Sequence, residues 1–350
     1  MHMADALLAP AVAATMYVAS GVTAGISVHK LRKDDEPQKL PTMAVTAALV
    51  FAGQMINYTI PGTGSSGHMC GGMLLSALLG PQAGFLSMIV ILAIQCLFFA
   101  DGGLLALGAN IWNMAFYGCF VGYYLIWRPI MRSSLFGDGK GAQRARIILA
   151  SILGCVITLQ LGAFSVVLET SLSGITELPF GAFVALMQPI HLAIGLIEGL
   201  ITSAVLVFVF ESRPELLRDV NAKPGESRRS LKAVVAILAV VALIVGGGLS
   251  LLASSNPDGL EWALFGNAEE GYAQNMGLDE ENSGKSDAAH DKAGAIQEST
   301  SFLPDYAFSN DGDNPAGTTV SGIVGAGMVA GVALLICAAG GFFRKKNASK

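Results

Sequence analysis

Charge is scarce in this chain. Asp, Glu, Lys and Arg together make up 13% of its residues, where a soluble domain carries roughly a quarter. Period-two alternation of apolar and polar residues is missing too, which excludes a transmembrane barrel. No basic residue precedes the first apolar stretch, 6–28, so it does not read as a cleavable signal peptide. The five cysteines, Cys70, Cys96, Cys119, Cys155 and Cys337, contain no CxxC spacing and all sit within or at the edge of apolar runs. That excludes a disulfide framework or a zinc ribbon and leaves small buried apolar residues. HExxH does not occur. Gly137-Asp138-Gly139-Lys140-Gly141 lacks the first glycine and the Ser/Thr of a phosphate-binding loop, so the chain does not itself hydrolyse ATP. Nothing interleaves its basic clusters with aromatics, which excludes a nucleic-acid interface.

What is present is hydrophobic: 53% of the residues, in runs near or above the ~18–20 needed to cross a bilayer. The reading is an all-α polytopic membrane protein with spans near 6–28, 42–60, 68–80, 83–100, 103–127, 147–168, 188–210, 231–253 and 318–343. Nineteen of the 21 Lys and Arg fall in 29–40, 128–146, 213–232 and the tail after 343. All of these lie on one side if every span crosses, and only Lys285 and Lys292 lie opposite. By the positive-inside rule that side is the cytoplasm, which puts the N-terminus outside and the C-terminus inside. The parity needs 68–80, although that stretch is too short to cross unaided. It reads as a short buried helix entered through a non-helical loop, which membrane depth tolerates only inside protein. The outer segment 254–317 carries 13 of the 26 acidic residues, lacks an apolar period over most of its length, and reads as a largely disordered spacer.

Polar groups inside a helical membrane protein are costly, so each cluster is a candidate site. Met1-His2 offers a terminal amine, the backbone nitrogen of residue 2 and an imidazole, which can close two chelate rings on one metal. This all-nitrogen, planar set suits Ni(II) or Co(II) and not Mg or Ca. It requires Met1 to be retained, as expected when residue 2 is as large as histidine. Gly62-Thr63-Gly64-Ser65-Ser66-Gly67-His68 would bring a fourth nitrogen, from His68, to the same outer face, or His68 simply hydrogen-bonds within the loop. Asp101 stands at an external turn, with Asn110 and Asn113 one helical turn apart and deeper. These residues and Ser66 read as outer partners that hold the ligand loops. His191 and Glu198 share one helix face two turns apart. His191 is a fifth donor or an outer partner, and Glu198 at such depth is paired or protonated. Cys70 is a soft donor or a plain core residue.

Met1-His2, the stretch GTGSSGHMCGGMLLSALLGPQAGF (62–85), FFADGGLLALGANIWNM (98–114) and HLAIGLIEGLIT (191–202) together resemble the CbiM/NikM substrate-capture subunits of cobalt and nickel energy-coupling-factor (ECF) transporters. The resemblance covers residues 1–212. Beyond a cytoplasmic linker at 213–230, residues 231–350 resemble the companion subunit CbiN/NikN, with its PDGLE signature at Pro257-Asp258-Gly259-Leu260-Glu261. The resemblance implies an S-component bundle of about seven helices plus two further transmembrane helices around the outer loop. It implies that Met1, His2 and His68 hold a transported Ni(II) or Co(II), with no permanent cofactor. It also implies a CbiQ/NikQ-like coupling subunit and CbiO/NikO-like ATPases as partners within the lipid membrane. Where the family usually continues with Pro-Asp-Gly or Glu-Gly, this chain reads Met3-Ala4-Asp5-Ala6. The rival classes are a proton-coupled secondary carrier with Glu198 as relay, an intramembrane metalloenzyme, and a receptor that senses metal without moving it.

Overall fold

Removed from water, a single chain segment satisfies all its backbone N–H and C=O groups only as a helix, so long apolar runs become long helices. A computed structural model describes residues 1–33, 39–175, 178–220, 228–268, 271, 287–308 and 314–347. Lys223, Lys285, Lys350 and the acidic stretch 272–286 lie outside those residues, as do the side chains of 39–41 and 337–347, Cys337 among them.

The first half holds α1 (Pro10–Leu31), α2 (Lys39–Gln54), α3 (Gly72–Leu79) and α4 (Pro81–Phe99). Next comes α5, a continuous rod running from Leu107–Asn110 through Ile111–Trp127 to Arg128–Arg132, its middle stretch in π-type hydrogen bonding. Then follow α6 (Lys140–Ser173), α7 (Phe180–Ser212), α8 (Leu231–Gly247), the short outer helices α9 (Gly259–Phe265) and α10 (Ala288–Thr300), and α11 (Ala316–Asn347). Among the described residues five helices are long and apolar enough to cross a membrane: Pro10–Leu31, Pro81–Phe99, Lys140–Ser173, Phe180–Ser212 and Ala316–Ile336. On α1 the branched residues Val18, Val22 and Ile26 are exposed while Ala13, Ser20 and Ser27 are buried. That is the reverse of a soluble helix, and it suits a lipid surround. The chain is an all-α polytopic membrane protein. Both α8 and α11 lie along α2, so the second region adds to the bundle instead of standing apart.

Two readings change in detail. The apolar run 42–60 ends as a helix at Gln54, and Tyr58–Ile60 pairs antiparallel with Ser65–Gly67 in a hairpin, Tyr58 opposite Gly67. The glycine-rich turn makes the hairpin, and Ser65 and Ser66 at its end are completely buried. Segment 254–317 is not the spacer expected over its described part. Asp258 and Asp287 accept hydrogen bonds from the first N–H groups of α9 and α10. Such caps start helices without needing an apolar period.

The short helix α3 is buried at every residue, as its unbroken apolar surface requires. Its first residue, Gly72, meets Gly118 of α5 so closely that a Cβ on Gly118 would stand 3.0 Å from the Gly72 Cα. Gly118→Val should therefore lower stability by about 1–3 kcal/mol through overpacking, read as a lower Tm in detergent. Gly141→Ala, at an α6 position with nothing within 4 Å, should leave Tm unchanged or slightly raised.

Candidate metal centre

The chain's first eight residues do not trail into solvent. Met1, Met3, Leu7 and Leu8 are buried, and the bundle grips their backbone as it would grip a short strand. Asn110 Oδ1 accepts from Met3 N at 2.7 Å while Asn110 Nδ2 donates to Met3 O at 3.1 Å. Gly103 N adds a bond to Met3 O at 2.9 Å, and Ala106 N donates to Asp5 Oδ1 at 2.9 Å. From above, His290 Nε2 on α10 lies 3.0 Å from both Asp5 O and Leu8 O. Asn113 sits one turn below Asn110, its Nδ2 donating to Glu169 Oε2 at 2.7 Å and lying 3.6 Å from Met3 Sδ.

This hook delivers the terminal amine and His2 to the glycine-rich loop. The His2 and His68 rings stack with centroids 5.3 Å apart and an interplanar angle of 22°. His2 Nδ1 lies 3.1 Å from Asp101 Oδ1, whose Oδ2 accepts from the Tyr306 hydroxyl. His2 Nε2 is buried without a partner, and the His2 backbone N–H has no acceptor among the described residues. His68 Nδ1 faces Met69 O at 3.1 Å. A carbonyl can only accept, so the proton sits on Nδ1 and Nε2 keeps a lone pair. The Met1 amine is paired with the carboxylate of Asp258. Burial works to raise the Asp258 carboxyl, but the charge and hydrogen bond of the Met1 ammonium outweigh it and hold it well below the usual carboxylate range. The carboxylate therefore stays ionised as the counter-charge of the amine.

Asp258 belongs to the turn before α9. Its Oδ1 accepts from Leu260 N and Glu261 N at 2.7 and 2.9 Å, and Glu261 Oε2 accepts from Asp258 N at 3.2 Å, a capping box. The same turn docks on the hairpin. Ser66 N donates to Pro257 O at 2.8 Å and Ser66 Oγ to Asn256 O at 2.7 Å. A Cβ on Gly259 would stand 3.2 Å from His191 Cε1 and 3.1 Å from Ile194 Cδ1, so glycine lets the turn settle on α7 without displacing those side chains.

Below the loop, Glu198 accepts from Cys70 N at 2.8 Å and from Gly71 N at 2.9 Å, satisfying the donors at the start of α3. Gln54 Nε2 donates to Cys70 O at 2.7 Å, and Gln95 Nε2 donates to Gln54 Oε1 at 2.9 Å. His191 Nδ1 lies 2.8 Å from Met187 O, and its Nε2 is buried and unpartnered. Met1, His68, Cys70, His191 and Asp258 line one small cavity.

The structure thus brings Met1, His2 and His68 together, with Ser66, Asp101, Asn110 and His191 around them. Asn113 and Glu198 stand a layer further out. Among the described residues no three His, Cys, Asp or Glu side chains converge as a ready cage; the donors that do converge are imidazoles, an amine and a free amide. Sequence reasoning assigned no role to Asp258, although the PDGLE motif marked it, nor to Glu169, Gln54, Gln95 and His290. Of the last four, Glu169 alone carried a signal, as an acidic residue at the end of an apolar run.

Replacing Glu198 with Gln turns one of its two acceptors into a donor facing an N–H. Leaving a buried backbone N–H without its acceptor costs about 1–3 kcal/mol, so Glu198→Gln should lower Tm and speed hydrogen exchange at Cys70 and Gly71. Asn110→Ala should speed exchange across residues 1–8 while leaving α6 and α7 protected.

Residues 2–216 match the family described as the cobalt uptake substrate-specific transmembrane region, CbiM, and residues 232–340 match the PDGLE domain. The chain is 34% identical over 330 residues to an Archaeoglobus fulgidus protein provisionally named a fused nickel transport protein, NikMN, covering 93% of this chain and 94% of that one. It is 30% identical over 355 residues to the fused nickel transport protein NikMN of Rhodobacter capsulatus, covering 95% and 96%. A crystal structure of a truncated transition metal transporter aligns with a TM-score of 0.52 at 32% identity, covering 60% of this chain and 99% of that one. The chain belongs to the CbiM family of cobalt uptake substrate-specific transmembrane regions, joined in one polypeptide to a PDGLE domain.

Proposed function

We propose that this protein captures a divalent transition metal, nickel or cobalt, for uptake across the membrane, as the substrate-binding subunit of an ECF transporter. The observation that carries this reading is the buried meeting of the Met1 amine, the unbonded His2 N–H, and the His2 and His68 imidazoles beneath the PDGLE turn. With Met1 as the mature first residue, amine, amide and His2 Nδ1 close five- and six-membered chelate rings, and His68 Nε2 supplies the fourth nitrogen. In the arrangement described, the amine and His2 Nδ1 face Asp258 and Asp101. The His2 ring therefore turns about its Cβ–Cγ bond to present Nδ1 to a metal. Asp258 then becomes the residue through which the PDGLE region positions the hook, so that region is part of the capture site. Relatives named as nickel and cobalt transport proteins support this reading of the cargo.

ATP hydrolysis belongs to separate CbiO/NikO-like subunits, reached through a CbiQ/NikQ-like coupling subunit. The N-terminus lies outside, where capture occurs, and the C-terminus in the cytoplasm. Glu198 spends both oxygens on the backbone N–H groups of Cys70 and Gly71, a structural duty that weakens the proton-relay reading.

Nickel or cobalt binding to the purified chain tests the ligand set. One residue added before Met1 should abolish tight binding. His2→Ala and His68→Ala should each cost more than the about 10–100-fold typical of outer metal-site partners, and Cys70→Ser should change affinity little. Full binding by the extended chain removes the amine from the ligand set. Metal uptake by cells lacking the ATPase partners should fall to background; uptake that persists favours a secondary carrier.

A further inference from the structure

The second region reaches the site at another point besides Asp258. Tyr306, in the turn before α11, donates its hydroxyl to Asp101 Oδ2 at 2.5 Å, and Asp101 Oδ1 lies 3.1 Å from His2 Nδ1. The tyrosine is itself fixed from several sides. Its ring stacks on Phe99 of α4 with centroids 4.9 Å apart and planes at 22°. Ser321 Oγ on α11 donates to Tyr306 O at 3.0 Å, and Phe302 N and Leu303 N donate to Phe98 O at 3.2 and 3.3 Å. Asp305 and Tyr306 have φ of 51° and 61°, a left-handed backbone that residues other than glycine rarely adopt. Such strain persists where the surroundings over-determine it, and it gathers at functional sites.

A carboxylate only accepts, so the His2 nitrogen that faces Asp101 carries the ring proton. His2 Nε2, buried without a partner, keeps the lone pair. That is the wrong arrangement for chelation, since Nδ1 is the nitrogen that closes a six-membered ring with the amide. We infer that Tyr306 is a positioning residue of the PDGLE region: acting through Asp101, it holds the His2 imidazole of the empty site with Nδ1 turned away from the chelate. This rests on the capture reading above and adds how the second region regulates metal entry. For metal to bind, the ring turns and its proton passes from Nδ1 to Nε2 by exchange with water, with no net change in charge. An interaction made only in the empty state opposes binding by its own free energy. Without the tyrosine hydroxyl, the Asp101 side chain, 23% exposed, turns to water and frees the ring.

Nitrogen-15 NMR of the metal-free full chain in detergent, with labelled histidines and His2 assigned by its loss in His2→Ala, tests this together with Ni(II) titration. Wild-type His2 should carry its proton on Nδ1 alone. Tyr306→Phe, which keeps the stack on Phe99, should show both tautomers and bind nickel about 2–10-fold more tightly, the worth of one net hydrogen bond. Asp101→Ala should act in the same direction, and adding Tyr306→Phe to it should change nothing further, because the two act in series. A wild-type His2 protonated on Nε2 before metal arrives overturns the inference even should a variant not fold. So does a Tyr306→Phe protein that binds nickel more weakly with its His2 signals unchanged, the mark of a merely structural residue. Both results leave the capture reading standing. Nickel binding by His2→Ala at wild-type affinity overturns the capture reading and this inference with it.

Discussion

A positive charge buried among helices is tolerated only beside its counter-charge, and the pairing of the Met1 amine with Asp258 meets that condition here. One carboxylate does two things at once. Its Oδ2 holds the amine, and its Oδ1 caps α9 through Leu260 and Glu261. The turn that carries it is tied to Ser66 of the hairpin, and the hairpin runs directly into His68. Three stretches far apart in the chain therefore share one small volume: residues 1–3, 65–68 and 256–261. Each stretch supplies the others with contacts: Asp258 pairs with the Met1 amine, Ser66 bonds to the 256–257 backbone, and His2 stacks on His68.

The helices provide the stiffness this arrangement needs. Hairpin and loop bring non-helical backbone inside the protein, where every N–H and C=O must be answered. Glu198 from α7 and Gln54 from α2 answer the two sides of Cys70, so the residue next to the cavity is fixed by its backbone. Its thiol is free to be an ordinary buried side chain. Asn110 does the equivalent for Met3, its amide imitating the partner strand that an edge would find in a sheet. The outer helix α10 closes the hook from the opposite side through His290 and Gln297, the latter donating to Gly102 O at 2.7 Å.

The bundle was legible because burial in a membrane writes itself as long apolar runs. Even the eight-residue α3 announced itself through the parity of the basic segments. His68, Asn110, Asn113, His191 and Glu198 stood out as polar groups where polarity is costly. Their partners did not, since nothing local tells Glu198 that Cys70 and Gly71 are its targets, or Met1 that its carboxylate lies 257 positions away. Within the described part of the outer segment, the short helices escaped the sequence reading because they depend on caps and on a few anchors such as His290 and Ala293, not on periodicity. The strand at 58–60 was read as the end of a helical span, because apolar content alone does not separate a buried strand from a helix.

The proposed ligand set has an electrostatic consequence that explains why a carboxylate can stand so close to a cation-binding site without becoming a ligand. Before capture, Asp258 faces one unit of positive charge on the ammonium. A divalent ion bound by a neutral amine and a deprotonated amide also presents one net unit, with two protons released. The field on Asp258 is thus much the same in both states, and the PDGLE turn need not be dismantled for the metal to enter. An ion that cannot displace the amide proton would leave two positive units beside one carboxylate in a poorly solvated pocket, at a cost of several kcal/mol by order of magnitude. Asp258 in this view discriminates by charge balance: it accepts ions acidic enough to take the amide nitrogen and penalises Mg and Ca, which prefer oxygen donors.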